Sequence, residues 1–191
     1  MQTARIFILT APSGGGKTTI AHRLLQEFPK LVFSVSATTR ARREGETDGK
    51  DYYFLTRAEF DRRIEAGAFI EWEEFYGGSR YGTLKDHIDN HLKKGYFILF
   101  DVEVNGAKSL KEYFRDSAVS IFISPPSREE LRRRLQLRGT ENEKTLKLRL
   151  ERAEMELEQA DFFDYTVVNE HLDTAYAQVR EIVAKSINNQ E

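Results

Sequence analysis

The sequence predicts an α/β fold in which a five-stranded parallel sheet, flanked by helices, carries an inserted mixed α/β lobe and a small lid. Three observations predict it. Five short apolar segments recur, at residues 5–10, 32–36, 96–101, 119–124 and 165–168. Helical apolar stripes separate most of them, the alternation expected of a parallel sheet covered on both faces. One stretch, residues 37–90, breaks the alternation and is too long for a simple crossover. The expected division is therefore a core of residues 1–36 and 91–191, a lid at about 138–147, and an inserted lobe at 37–90.

The first strand, Arg5-Ile-Phe-Ile-Leu-Thr10, reads as buried on both faces. It runs into Ala11-Pro-Ser-Gly-Gly-Gly-Lys-Thr18, after which Ile20, Leu24, Leu25 and Phe28 fall on one helical face. A glycine-rich turn between a buried strand and a helix is a phosphate cradle. Its backbone N–H groups point inward, and the helix N-terminus adds partial positive charge. Gly16-Lys17-Thr18 fits the end of the P-loop pattern, with Ala11 at the place of its first glycine. Lys17 supplies a mobile cation for outer phosphates and Thr18 a hydroxyl suited to Mg²⁺. A loop that only turns the chain would leave the Lys-Thr pair unexplained.

The interrupted stretch holds turn signals at Glu44-Gly45, Asp48-Gly49 and Gly77-Gly78, aromatic strand-like pieces at 52–54 and 69–75, and a short helix at 57–66. Beyond it, Ala107, Leu110 and Phe114 form one helical stripe and Leu131 with Leu135 begin another. Leu146, Leu150, Ala153 and Leu157 form a third, and Leu172, Ala175, Tyr176, Val179, Ile182 and Val183 the last. Ligands of such sheets sit at the carboxyl ends of the strands, where the glycine loop, Asp101 and Asn169 all fall.

Composition narrows the classes. The chain has 191 residues, 40% hydrophobic and 31% charged, with a formal net charge of −2 and no cysteine. The charge argues against a broad nucleic-acid surface, and the missing cysteine excludes disulfides, thiolate catalysis and cysteine-bound zinc. No apolar run reaches membrane-spanning length, so the expectation is a cytoplasmic protein with no membrane or obligate protein partner evident.

Two groups of arginines flank the strand ends. Arg40, Arg42 and Arg43 follow the second strand; Arg132, Arg133, Arg134 and Arg138 precede a charged connector, with Arg149 on the next helix. Arg132 and Arg133 read as a solvated face, Arg138 and Arg149 as functional. Asp101 is either a carboxylate reaching Mg²⁺ or its water shell, or a plain strand-ending turn residue. Glu71, between Ile70 and Trp72, is costly to bury unless it faces a ligand or solvent. Tyr52 fits an aromatic core equally well, and Ser36 a bond to its own backbone.

Taken together, Ser13-Gly-Gly-Gly-Lys-Thr18, Ser34-Val-Ser-Ala-Thr-Thr-Arg40, Gly45-Glu-Thr-Asp-Gly-Lys-Asp-Tyr-Tyr-Phe54, Phe69-Ile-Glu-Trp72, Tyr81-Gly-Thr83, Ile121-Phe-Ile-Ser-Pro-Pro126 and Arg138-Gly-Thr140 resemble guanylate kinase, in order and over nearly the whole chain. The resemblance implies a P-loop nucleoside monophosphate kinase that moves the γ-phosphoryl group of ATP, with Mg²⁺, to GMP and to dGMP as well. It places Ser13, Gly14, Gly15, Gly16, Lys17, Thr18, Thr19, Arg134 and Asn169 around ATP, and Thr18 and Asp101 at the metal. It places Ser36, Arg40, Arg43, Tyr52, Glu71, Tyr81, Thr83, Asp101 and Glu103 around GMP. Lys17, Arg43, Arg138 and Arg149 then meet the transferring group. The chain departs from the family pattern in four places. Ala11 replaces a glycine, and no proline precedes Arg43, whose assignment rests on spacing. The segment 76–83 is one residue longer, and Glu103 stands where the family has Asp. Two other classes stay open at this stage: a guanylate-kinase-like module that binds phosphorylated peptides, and a kinase acting on another phosphorylated ribose compound.

Overall fold

The computed structural model describes residues 4–12, 15–75, 77–137 and 143–188 (of 143–147 and 188, the backbone only). In chain order its elements are β1 (Ile6–Thr10), α1 (Lys17–Glu27), β2 (Leu31–Phe33), β3 (Ala37–Thr38), β4 (Tyr53–Phe54), α2 (Arg57–Glu65), β5 (Phe69–Glu74), β6 (Arg80–Leu84), α3 (Lys85–Lys93), β7 (Phe97–Asp101), α4 (Val104–Phe114), β8 (Ala118–Ser124), α5 (Arg128–Leu137), α6 (Glu143–Leu157), β9 (Tyr165–Val168) and α7 (Leu172–Asn188).

Five strands form a parallel sheet in the order β2-β7-β1-β8-β9. β1 lies at its centre, and all five of its residues are buried. Alternate side chains leave a strand on opposite faces, so an all-apolar strand needs cover on both. Phe7 and Leu9 pack with Ile20, Ala21 and Leu24 of α1 and with Val179 and Val183 of α7. Ile6 and Ile8 pack on the other face with Val104, Ala107 and Leu110 of α4 and with Ile88 of α3.

The second sheet is mixed, in the order β4-β3-β6-β5. Residues 32–36, expected as one strand, divide between the two sheets. β2 stops at Phe33, Ser34 N–H still donates to the Leu99 carbonyl at 2.9 Å, and the Ser36 carbonyl already accepts from Tyr53 N–H at 2.9 Å. The chain passes from one sheet to the other between those two bonds. α2 starts on a capping box, with Glu59 N–H donating to Thr56 Oγ1 at 3.2 Å and Thr56 N–H to Glu59 Oε2 at 2.8 Å. It seats Phe60 against Phe69, ring centroids 4.4 Å apart, in a core that also includes Ala37 and Leu84.

A register shift in β5 positions the residue that matters most. Phe69 opposes Leu84 and Glu71 opposes Thr83, so two steps on β5 match one on β6. This bulge lets Phe69 stay in the small core of the second sheet while Ile70 packs against the parallel sheet's cluster. Glu71 is then aimed at the gap between the two sheets.

Because that core is small, Phe60→Ala is expected to destabilise the second sheet by about 3–5 kcal/mol. Hydrogen exchange checks this: amides of β5 and β6 lose protection while those of β1 and β7 keep theirs.

Candidate active site

The glycine loop sits where β1 ends and α1 begins. Gly15 N–H donates to the Pro12 carbonyl at 2.9 Å. Gly16 caps α1 with φ of 89°, a conformation that favours glycine, and a Cβ there would run into the Asn169 amide. Ala11 is buried, and a Cβ on Gly15 would lie 2.7 Å from its methyl group. The departure at Ala11 is thus accommodated by the glycine it faces. α1 has no side-chain cap and no acidic residue in its first turn, so its N-terminal N–H groups are left for an anion. Ser13 and Gly14 lie outside the described residues. Thr18 and Thr19 are exposed on the first turn of α1.

Lys17 points across the strand ends. Its Nζ stands 2.5 Å from Asp101 Oδ1 and donates to the Val102 carbonyl at 3.1 Å. Parallel pairing makes this possible, since Asp101 lies in register with Leu9, two residues before the loop.

From Lys17 a cavity of about 370 Å³ extends between the sheets to Glu71, lined also by Ser36, Tyr52, Glu73, Phe75, Tyr81, Gly82, Asp101, Val102, Glu103 and Gly106. Glu71 accepts a hydrogen bond from Thr83 Oγ1 at 2.7 Å. Burial pushes its carboxyl above the ordinary value of 4.5, and the Thr83 hydroxyl only partly offsets this. Two glycines make the space. A Cβ on Gly106 would stand 3.4 Å from Glu71 Oε2, and one on Gly82 would stand 2.8 Å from the Glu71 carbonyl. A glycine inside a helix and another inside a strand were the available signals for both.

The cavity wall is mostly acidic: Glu71, Glu73, Asp101 and Glu103 line it, and Lys17 is the one cation among its described lining residues. In the same wall the rings of Tyr52 and Tyr81 meet edge to face at 5.8 Å. Arg40 lies over the Tyr52 ring at 5.3 Å and is held by a two-pronged pair with Glu46, at 2.6 and 3.0 Å. Glu46 also accepts from Arg43 N–H at 2.7 Å, and these bonds, Arg40's first, keep its carboxyl below the usual range. Sequence reasoning missed Glu46; its spacing from Arg40 and Arg43 was the only hint. Arg43 is exposed. Arg80 is turned away, paired with Asp61 and with Glu74 at 2.7 Å and lying over the Trp72 ring.

A second cavity, about 490 Å³, opens over the other side of the loop and is lined by Gly16, Thr19, Arg134, Asn169, Glu170, His171, Leu172 and Asp173. Asn169 is buried and donates from Nδ2 to the Gly15 carbonyl at 2.8 Å. Arg134 donates to the Asn169 carbonyl at 2.9 Å and to Glu130 at 2.7 Å. So Asn169 and Arg134 brace the loop as well as line the space. Arg149 is half-buried on α6, and Arg138 lies outside the described residues. No helix among the described residues is long and apolar enough to cross a membrane. They also contain no group of three or more histidine or acidic side chains able to hold a metal by themselves.

The family model described as guanylate kinase matches residues 3–186. A guanylate kinase of Salinibacter ruber is 50% identical over 175 residues, covering 92% of this chain and 93% of the relative. One of Porphyromonas gingivalis is 48% identical over 184 residues, covering 96% and 98%. Among solved structures, the guanylate kinase of Anaplasma phagocytophilum superposes with a TM-score of 0.75 at 35% identity, covering 97% of this chain and 87% of that one.

The raised Glu71 carboxyl has a consequence for stability. A carboxyl whose value is higher folded than unfolded favours folding fully below the unfolded value, and loses that contribution as pH rises through the folded one. Glu71→Gln has no charge to bury and keeps an acceptor for Thr83. In urea melts from pH 4 to pH 8 the variant is expected to gain stability over the parent as pH rises. A constant difference across that range would show that burial does not penalise the Glu71 charge.

Proposed function

The chain belongs to the guanylate kinase family of nucleoside monophosphate kinases, and from that premise we propose that it transfers the γ-phosphoryl group of ATP to GMP, and to dGMP, giving ADP and GDP or dGDP. One observation carries the reading: a single cavity joins Lys17 of the phosphate loop to the half-buried carboxylate of Glu71.

The base end suits guanine. Guanine offers N1–H and N2 amino donors to a carboxylate, and Glu71 is poised to accept both while Thr83 and Ser36 contribute hydroxyls. Adenine would turn a lone pair toward Glu71, leaving a buried group unpaired at about 1–3 kcal/mol. Glu103 adds a further acceptor beside it. The acceptor's phosphate then lies toward Lys17, where Tyr52, Tyr81, Arg40 and Arg43 serve as donors. Arginine and tyrosine suit this work, as a fork of N–H groups and a hydroxyl. The second cavity takes the ATP side: Ser13, Gly14, Gly15, Gly16 and Thr19 from the loop, with Arg134 and Asn169 at its wall.

Transfer is direct and in line. An oxygen of the GMP phosphate attacks the γ phosphorus, and the bond from that phosphorus to the bridging β–γ oxygen breaks. The attacking oxygen is already anionic, so no general base is required. Positioning and charge stabilisation do most of the catalysis. Lys17, Arg43, Arg138 and Arg149 supply cations against the repulsion of two nucleotides brought end to end. The donor set fits Mg²⁺, which keeps several waters and needs only one or two protein oxygens beside the phosphates. Thr18 and Asp101 would hold it, and when bound it would supply positive charge to offset that of the phosphates. Lys17, now bound to Asp101, exchanges that carboxylate for phosphate when a triphosphate arrives. We read residues 37–90 as the acceptor lobe and 138–147 as the lid of the core; closure of both excludes water before transfer. The setting of such a reaction is purine nucleotide metabolism in the cytoplasm.

A coupled assay across GMP, dGMP, AMP, CMP and UMP tests the reading, with turnover expected on GMP and dGMP alone. Lys17→Ala is expected to lower that turnover at least about a hundredfold. Turnover within a few-fold of the parent would remove the loop lysine from the mechanism. Comparable rates on AMP would remove Glu71 from base selection.

A further inference from the structure

Arg152 stands on α6, three residues beyond Arg149, and belongs to neither nucleotide set described above. Its guanidinium joins three separate parts of the molecule. Nε donates to Glu156 Oε1 on the same helix at 2.9 Å. A terminal nitrogen lies 3.9 Å from Glu103 Oε2, at the residue that precedes α4. The guanidinium carbon sits 5.7 Å from the centroid of the Phe75 ring, just past the end of β5. Phe75 and Glu103 both line the acceptor cavity.

The charge balance there gives the contact its importance. Glu71, Glu73, Asp101 and Glu103 line the cavity, and Lys17, paired with Asp101, is the one cation among the described residues lining it. Arg152 places a second positive charge beside Glu103. Its partner on the helix, Glu156, is buried and fixes the direction of the guanidinium. The 3.9 Å gap to Glu103 is too long for a hydrogen bond, so the attraction there is Coulombic.

Resting on the reading of the cavity as a GMP site, we propose that Arg152 is a positioning residue for the acceptor's base. It holds Glu103 and the Phe75 ring in place, offsets the mutual repulsion of the carboxylates, and ties the helix that bears Arg149 to the lobe that bears Glu71. It touches neither nucleotide. Seating of the base and placement of the lid helix are coupled through this one side chain, which spans three elements distant in sequence.

The test uses Arg152→Gln, Arg152→Lys, Glu103→Gln and the double variant Arg152→Gln/Glu103→Gln in steady-state assays with GMP and ATP varied separately. Arg152→Gln is expected to raise KM for GMP about five- to tenfold, the combined worth of a partly exposed ion pair and a cation–π contact. KM for ATP stays within about twofold, and kcat falls less than KM for GMP rises. Arg152→Lys recovers part of the loss, because it keeps the charge without the planar fork. The double variant loses less than the sum of the two single losses, since the two residues act as a pair. Thermal melts of each variant separate these effects from unfolding. A KM for GMP unchanged in Arg152→Gln, an equal rise in both KM values, or additive losses in the double variant would overturn the role of Arg152. A parent chain inert toward GMP overturns the functional reading together with this inference.

Discussion

Lys17 holds the structure's most consequential charge: its ammonium reaches from the first turn of α1 to Asp101 and the Val102 carbonyl at the carboxyl end of β7. Two anionic molecules that must be brought end to end repel each other, and the repulsion is strongest where little water remains to screen it. In the proposed reaction Lys17 is the cation that stands at their junction. The parallel sheet provides that point, because β1 and β7 lie side by side and both finish at the same edge. The glycine loop, the cavity that reaches Glu71 and the space beside Asn169 all open there. The Asp101 partner keeps Lys17 directed into the site, where it lies ready for a stronger anion.

The rest of the molecule sets the two ends of that junction. On one side, the crossing of the chain between Ser34 and Ser36 hangs a second sheet beside the first, and the bulge in β5 turns Glu71 into the space between them. Glycines at 82 and 106 keep that space open. On the other side, Asn169 and Arg134 close a chain of hydrogen bonds from Glu130 to the Gly15 carbonyl, so the loop is braced by strand β9 and helix α5. The Arg40 guanidinium is in turn oriented by Glu46. Cations are thus held in place before ligand arrives, which lowers the ordering required on binding.

Much of this was legible in the chain. The buried run at 5–10 followed by Gly16-Lys17-Thr18 located the loop, since few other arrangements need a lysine and a threonine at a helix start. The alternation of apolar segments located the parallel sheet, and a carboxylate set between Ile70 and Trp72 marked Glu71. What stayed hidden depended on residues far apart in sequence. The contact of Lys17 with Asp101 needs the strand order, which periodicity does not report. The division of 32–36 between two sheets looks like one strand because apolar and hydroxyl residues continue through it. Arg80 falls in segment 76–83, one residue longer than the family pattern, and Asp61 and Glu74 capture it; only the packing of α2 on β5 brings Asp61 near. Arg152 is one charge among many on α6 until the end of β5 and the start of α4 are placed beside it.

The claim that two nucleotides meet at Lys17 is tested most directly by a single molecule carrying both, an adenosine and a guanosine joined through a chain of phosphates. Isothermal titration with one such compound should show one site per chain, tighter than either nucleotide alone, with prior saturation by ATP or by GMP each weakening its apparent affinity. Displacement by only one of the two nucleotides would mean that the cavities do not share a junction, and would contradict the account.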